Sequence, residues 1–384
     1  MSEPSITFRQ LTLTRYPKTK DHSLRAWNAA DEYLCDWIDE QAFKTDTSVL
    51  IVNDQFGALT CCLNRYSRYI WTDSFLSKTA ILENLKSNSI GCSLVTFVNQ
   101  TQDSIESSTH FDLVIIRVPK HNSLLEFQLQ TIRDFIGDNT QVVAAGMSKD
   151  IHKSNLKIFE NTLGRTSTSL AKKKARLIFC KPDSSTHSTS SIEGMISQFS
   201  VENSNLTIVG MPGVFSRDNL DIGSRVLLNY LPQTQGRQKL IDLGCGTGIL
   251  GTAAAMSNPE LEVTFTDESW LAVESARKTF DINCDLTNRK VSFRTTDVLS
   301  GIAENDYDFV LCNPPFHQQN VQTLSIANKM FKESANKLKK DGELRVVANR
   351  HLKYRPILNS YFNQVDIISN DSKFVVWLAS NPKK

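Results

Sequence analysis

Apolar runs of strand length recur along the chain: VLIV (49–52), FDLVII (111–116), QVVAA (141–145), KLIDL (239–243), VTFTD (263–267), DFVLC (308–312) and ELRVVA (343–348). Segments of helical length separate them. Short apolar runs bounded by polar residues predict strands buried on both faces, and their alternation with helices predicts parallel sheets covered by helices on each side. The stretch KPDSSTHSTSS (181–191) breaks this rhythm and reads as a surface linker. After it, SIEGMISQFSVENSNLTIVG alternates apolar and polar residues around Glu202-Asn203-Ser204-Asn205, which predicts a hairpin. The expected organisation is one domain over 1–182, a linker over 183–191 and a second domain over 192–384.

The two halves repeat each other. KLIDLGCGTGIL, FTDESWLAVESARKTF and YDFVLCNPPF follow in order in the second half; VLIVNDQFGALT, WTDSFLSKTAILENLK and FDLVIIRVPK follow in the same order in the first. Asp73 and Asp267 each follow an aromatic-Thr pair, and Asp112 and Asp308 each precede an apolar strand. Three matched landmarks predict a duplicated domain.

The second copy carries a ligand loop, Asp242-Leu243-Gly244-Cys245-Gly246-Thr247-Gly248, between a strand and a helix expected from Ile249 to Met256. Glycines at alternate positions let the backbone turn tightly and approach a ligand, and N–H groups at a helix start favour an anionic group. The pattern DxGxGxG departs from the dinucleotide fingerprint and suits the methionine carboxylate of S-adenosylmethionine. Asp267, 25 residues after Asp242, ends the next strand and is placed for a ribose. Asp297, after VSFRTT, is placed to accept from an adenine amine.

LCNPPFHQQ (311–319) follows a further strand. Two prolines fix φ and remove N–H donors, so carbonyl oxygens are the groups on offer. The Asn313 side-chain oxygen and the Pro314 carbonyl would accept the two protons of a planar amine, with Phe316 stacked on its ring. The core of this pattern reports an amine or amide nitrogen and does not choose among them. His317 and His351 lie nearby and receive no role.

With DLGCGTG, NPPF and PGVFSRDNLDIGSRVLLNYL in view, the chain resembles the ribosomal RNA guanine-N2 methyltransferases of the RsmC/RlmG type along its whole length. ADEYL, FGAL, DIHKSNLKIFE and KKARLI in the first half, with FHQQ, ANRHL and KFVV in the second, resemble the large-subunit branch. The resemblance implies an α/β fold of two tandem Rossmann-like methyltransferase domains, the N-terminal one degenerate. It implies S-adenosylmethionine held by Asp242, Gly244, Cys245, Gly246, Gly248, Asp267 and Asp297, with Phe215 and Ser216 close by. It implies guanine held by Asn313, Pro314 and Phe316, and methyl transfer to its N2 in 23S ribosomal RNA. A small-subunit target and a non-catalytic RNA-binding factor are the alternatives.

Charge and cysteine content alter this picture little. The net charge is +2, but eight Lys/Arg lie between Lys149 and Arg176 against Asp150 and Glu160. That run, with Lys172, Lys173, Lys174 and Arg176 at its end, is a candidate RNA-docking face for the N-terminal domain. The eight cysteines form no CxxC pair, so small buried thiols and no metal are expected. The N-terminus MSEPSITFRQLTLTRYPK lacks a signal-peptide core, and no apolar run is long enough to span a bilayer. A monomer in the cytoplasm, with ribosomal RNA as partner and no membrane contact, is the expectation.

Overall fold

The computed structural model describes residues 8–19, 21, 23–98, 109–186, 191–285, 289–315, 321–369 and 373–383. The chain divides into two compact units, Met1–Met195 and Ile196–Lys384. The first contains α1 (Ala29–Gln41), β1 (Ser48–Val52), α2 (Ala58–Cys62), β2 (Ser67–Trp71), α3 (Phe75–Ser87), β3 (Val95–Val98), β4 (Leu113–Arg117), α4 (Asn122–Ile132), β5 (Gln141–Met147), α5 (Lys153–Thr162), β6 (Thr166–Thr168) and β7 (Ala175–Cys180). The second opens with the hairpin β8 (Ser197–Ser200) and β9 (Thr207–Gly210), then α6 (Ile222–Leu228), β10 (Lys239–Leu243), α7 (Ile249–Ser257), β11 (Glu262–Asp267) and α8 (Trp270–Asn283). It closes with β12 (Val291–Thr295), β13 (Tyr307–Cys312), α9 (Val321–Lys337), β14 (Leu338–Asn349), α10 (Tyr354–Tyr361), β15 (Phe362–Ile367) and β16 (Phe374–Pro382).

Each unit has a seven-stranded sheet, and the two orders are the same: β3-β2-β1-β4-β5-β7-β6 and β12-β11-β10-β13-β14-β16-β15. The first five strands of each are parallel, and β7 and β16 run antiparallel to their neighbours. Every apolar run singled out in the sequence is one of these strands. The predicted hairpin forms by pairing Ser200 with Thr207, and Asn203 takes the left-handed conformation (φ 58°) in its turn.

The duplication holds at the level of single hydrogen bonds. Asp112 accepts from the Ser48 N–H at 2.8 Å, and Asp308 accepts from the Lys239 N–H at 2.8 Å. Ser74 and Ser269 each cap a helix by accepting from the third N–H along, both at 3.1 Å. The pairing of Asp73 with Asp267 is out by one residue. Strand register sets Trp71 opposite Val52 and Thr266 opposite Leu243, so the counterpart of Asp267 is Thr72. The aromatic-Thr pair misled because in one copy it is the aromatic, and in the other the threonine, that ends the pairing.

The sheet of the second unit is buried on both sides, as its sequence demands. Ile241, Leu243, Val310 and Cys312 face one core with Phe331 and Tyr354; Leu240 and Leu311 face the other with Phe265 and Phe280. All eight cysteines are free thiols; six are buried, Cys62 is half-buried and Cys92 is exposed, so the expectation of burial holds for six. Among the described residues no helix is long and apolar enough to cross a membrane, and no cluster of His, Cys, Asp and Glu is arranged to hold a metal.

Candidate active site

The glycine loop joins β10 to α7 through three left-handed residues, Gly244 (φ 68°), Gly246 (φ 52°) and Gly248 (φ 75°). At Gly248 glycine is compulsory on space as well, because a Cβ would lie 2.6 Å from the Ala276 Cβ on α8. The sequence suggested a bank of open N–H donors here, and the structure corrects that. Gly244 and Cys245 donate to the Thr266 carbonyl at 2.8 and 2.9 Å, Gly248 donates to the Cys245 carbonyl at 2.7 Å, and Gly246 donates to Asp267 Oδ2 at 3.0 Å. The loop is thus a braced cradle, tied to the end of β11.

The three aspartates sit at different depths. Asp242 is 1% exposed and accepts from the Gly251 N–H at 2.8 Å, so it supports the loop and helix start from behind and lies outside the cleft lining. Burial pushes its carboxyl up to about 7. An acid whose pKa is raised by folding contributes stability that is complete below its ordinary value of 3.8 and lost as pH rises past about 7. Relative to Asp242→Asn, the wild-type thermal midpoint should therefore rise as pH falls from 7 to 4. Parallel pH dependences for the two proteins would contradict the assignment. Asp267, half-buried, accepts from Gly246 and from the Ser269 N–H (3.0 Å); burial raises its pKa, against the pull of these bonds. Asp297 is 3% exposed and ion-paired with Lys329 of α9.

Above the loop lies an open cleft enclosing about 420 Å3, lined by Phe215, Ser216, Asp221, Ser224, Gly244, Cys245, Gly246 and Asn313 among others. Phe215 is 51% exposed at its mouth, and Ser216 takes a left-handed turn (φ 58°). Pro314 is buried and Pro315 exposed; Phe316 and His317 lie outside the described residues.

Asn313 has a built seat that the sequence did not disclose. Its Nδ2 donates to Ser224 Oγ at 2.9 Å and to Asp221 Oδ1 at 3.2 Å. A carboxylate only accepts, so this contact fixes which end of the carboxamide is nitrogen. The other end, Oδ1, is buried and has no partner. A Cβ at Gly223 would stand 3.1 Å from Oδ1 and 3.4 Å from Nδ2, so the glycine leaves room for the amide. Asp221 also caps α6 by accepting from the Ser224 N–H at 3.0 Å. The signal was the DIGS stretch, which resembles the family without declaring a role; strand order brings it to the end of β13.

The first unit holds the same constellation with other residues. Register sets Arg117 at the position of Asn313, while Asn28 and Asp31 take the cap and third positions of α1 as Asp221 and Ser224 do in α6. Arg117 is ion-paired with Asp31 and donates to Asn28 Oδ1 at 3.3 Å. Asn53 takes the left-handed turn of Gly244 (φ 63° against 68°), and Asp54, 1% exposed, accepts from the Thr60 N–H at 2.8 Å. The Arg15 guanidinium lies 4.8 Å over the Phe56 ring. Side chains fill in this copy what is a cleft in the other.

The basic run looks different once folded. Lys172 pairs with Asp36 and Lys173 with Glu32, both at 2.8 Å on α1. Lys174 and Arg176 have no acidic partner within ion-pair distance among the described residues. Two of the four cations therefore hold their own domain together, a contact invisible to a charge count.

Residues 1–184 match the family model of the RLMG N-terminal domain, and residues 205–378 match the methyltransferase small domain. The chain is 40% identical over 375 residues to the ribosomal RNA large subunit methyltransferase G of Pseudoalteromonas translucida (strain TAC 125), covering 97% of this chain and 96% of that one. It is 39% identical over 382 residues to the protein of the same name in Vibrio vulnificus (strain YJ016), covering 99% of each. Its fold matches the Thermus thermophilus (T. Thermophilus) 16S rRNA N2 G1207 methyltransferase (RsmC), solved with AdoMet and guanosine, at a TM-score of 0.74 and 18% identity, covering 98% of this chain and 97% of that one. The chain belongs to the ribosomal RNA large subunit methyltransferase G family.

Proposed function

We propose that the protein transfers a methyl group from S-adenosylmethionine to the exocyclic N2 of a guanine in large-subunit (23S) ribosomal RNA. The observation that carries this is the buried, unpartnered Oδ1 of Asn313, locked in orientation by Asp221 and Ser224. A buried acceptor without a donor costs about 1–3 kcal/mol, and a substrate N–H entering the cleft would relieve that. The relatives named above, whose titles specify large-subunit RNA, support the choice of substrate over 16S RNA.

The residues present fit the cofactor. Left-handed glycines line its cradle, and Asp267 stands beside Gly246 for a ribose. Asp297, oriented by Lys329, is proposed for the adenine amine. Phe215 and Ser216 close the cleft from the side, Cys245 lines it, and Asp242 acts through the loop it supports. S-adenosylmethionine, when bound, supplies an electrophilic methyl group.

The work of this chain is on the amine. A conjugated –NH2 is a poor nucleophile because its lone pair is delocalised into the ring. Asn313 Oδ1 accepting one proton and the Pro314 carbonyl accepting the other favour the pyramidal form found in the transition state. Phe316 is proposed as the stacking face. The N–CH3 bond forms as the S–CH3 bond breaks, and the amine proton leaves to water. The base must leave its stack to enter the cleft.

The first unit is proposed as a docking domain over about residues 1–182, with Lys174 and Arg176 its open cations and Lys172 and Lys173 held on α1. The protein is proposed to act as a monomer in the cytoplasm. Incubation with labelled cofactor and each protein-free ribosomal RNA tests the reading: label is expected in 23S RNA, and label in 16S RNA alone would overturn it.

A further inference from the structure

Every group assigned to the site lies at the carboxyl end of a parallel strand, as ligands do in open α/β sheets. Along the edge β12-β11-β10-β13-β14 come Asp297, Asp267, the glycine loop and Asn313 in turn. The next position along that edge is the loop after β14. Cys312 pairs with Val346 across β13 and β14, so this loop begins only a few residues beyond the level of Asn313.

The loop is Arg350-His351-Leu352-Lys353, running into Tyr354 and Arg355 of α10. From Leu344 to Val365 the sequence contains no acidic residue. Lys373, at the start of β16, accepts the Arg350 N–H through its carbonyl at 3.1 Å, which adds a further cation at the same edge. Arg350, His351, Lys353, Arg355 and Lys373 are all exposed. Between them, Tyr354 is fully buried with its ring 5.2 Å from Phe331, Leu352 packs on the same core, and the Leu352 N–H donates to the Asn349 carbonyl at 2.9 Å. The apolar residues anchor the loop and the cations project from it, so it is a preorganised display of charge.

The internal copy supplies the comparison. Register aligns Met147 of β5 with Asn349, so the corresponding stretch is Ser148-Lys149-Asp150-Ile151. The copy whose cleft is filled thus has one cation and one acid where the copy with an open cleft has Arg, His and Lys. We infer that Arg350, Lys353, Arg355 and Lys373 form a phosphate-binding rim that grips the RNA strand flanking the target nucleotide as it enters beside Asn313. This inference rests on the function proposed above. A base drawn out of its stack brings its backbone with it, and cations at that edge neutralise the phosphates on either side.

The test uses the full-length protein, protein-free 23S RNA, and the triple variant Arg350→Gln, Lys353→Gln, Arg355→Gln, with the single variant Arg355→Glu in case the triple does not fold. The salt dependence of RNA binding should weaken by about 2 in log–log slope for the triple, since each phosphate contact on a single strand contributes about 0.7. Affinity should fall on the order of tenfold or more for either variant, with cofactor affinity unchanged. An unchanged slope and affinity, with the wild type active on the same RNA, would overturn the rim alone. A wild type that leaves 23S RNA unmethylated would instead sink the function on which the rim rests. Activity lost only on assembled particles, and kept on protein-free RNA, would assign the cations to a ribosomal protein and overturn the proposal.

Discussion

Asn313→Ala is expected to lower methyl transfer by about 100- to 1,000-fold in kcat, the loss that follows removal of one well-placed polar group from a transition-state site. Cofactor affinity should change little, because the loop at 244–248 is braced by Thr266 and Asp267 and not by Asn313. The variant should fold as well as the wild type or slightly better, since it removes a buried oxygen that has no partner. Single-turnover rates, with cofactor affinity measured by calorimetry, check this. A variant with wild-type rate would refute the role of Asn313. A variant that loses cofactor as completely as activity would move the residue from the amine to the cofactor.

Arg117→Ala is expected to destabilise the first unit by about 3–5 kcal/mol, because it leaves Asp31 as an uncompensated buried charge. Arg117 and Asp31 are only 17% and 9% exposed, so solvent offers little relief. The double variant Arg117→Ala, Asp31→Ala should recover part of that loss, because the stranded charge is gone. Denaturant unfolding of the full-length variants gives the comparison. Equal stability of the single variant and the wild type would show that the pair does not hold this copy of the site closed.

Much of the molecule was legible in the residues themselves. Continuous apolar runs gave the strands, because a strand buried on both faces has to be apolar throughout. The opening stretch VLIVNDQFGALT could be matched to KLIDLGCGTGIL because both helices start from a left-handed glycine, Gly57 (φ 87°) and Gly248 (φ 75°). The hidden parts were contacts between residues far apart in sequence. Asp221 and Ser224 reach Asn313 across about ninety positions, and Lys172 finds Asp36 across more than a hundred. Spacing within a motif carries no trace of such partners. Depth was hidden too: Asp242 and Asp267 look alike as strand-end acids, yet only the structure sets one beneath the helix and the other beside the cradle.

The central claim is that the amine presented to Asn313 is N2 of guanine in 23S RNA, and the product nucleoside tests it most directly. Unmodified, protein-free 23S RNA incubated with the protein and S-adenosylmethionine can be digested and its nucleosides resolved by mass spectrometry. The account predicts the appearance of N2-methylguanosine, mapping to a single site. A methyl group found on another nucleoside, or on another atom of guanine, would contradict it.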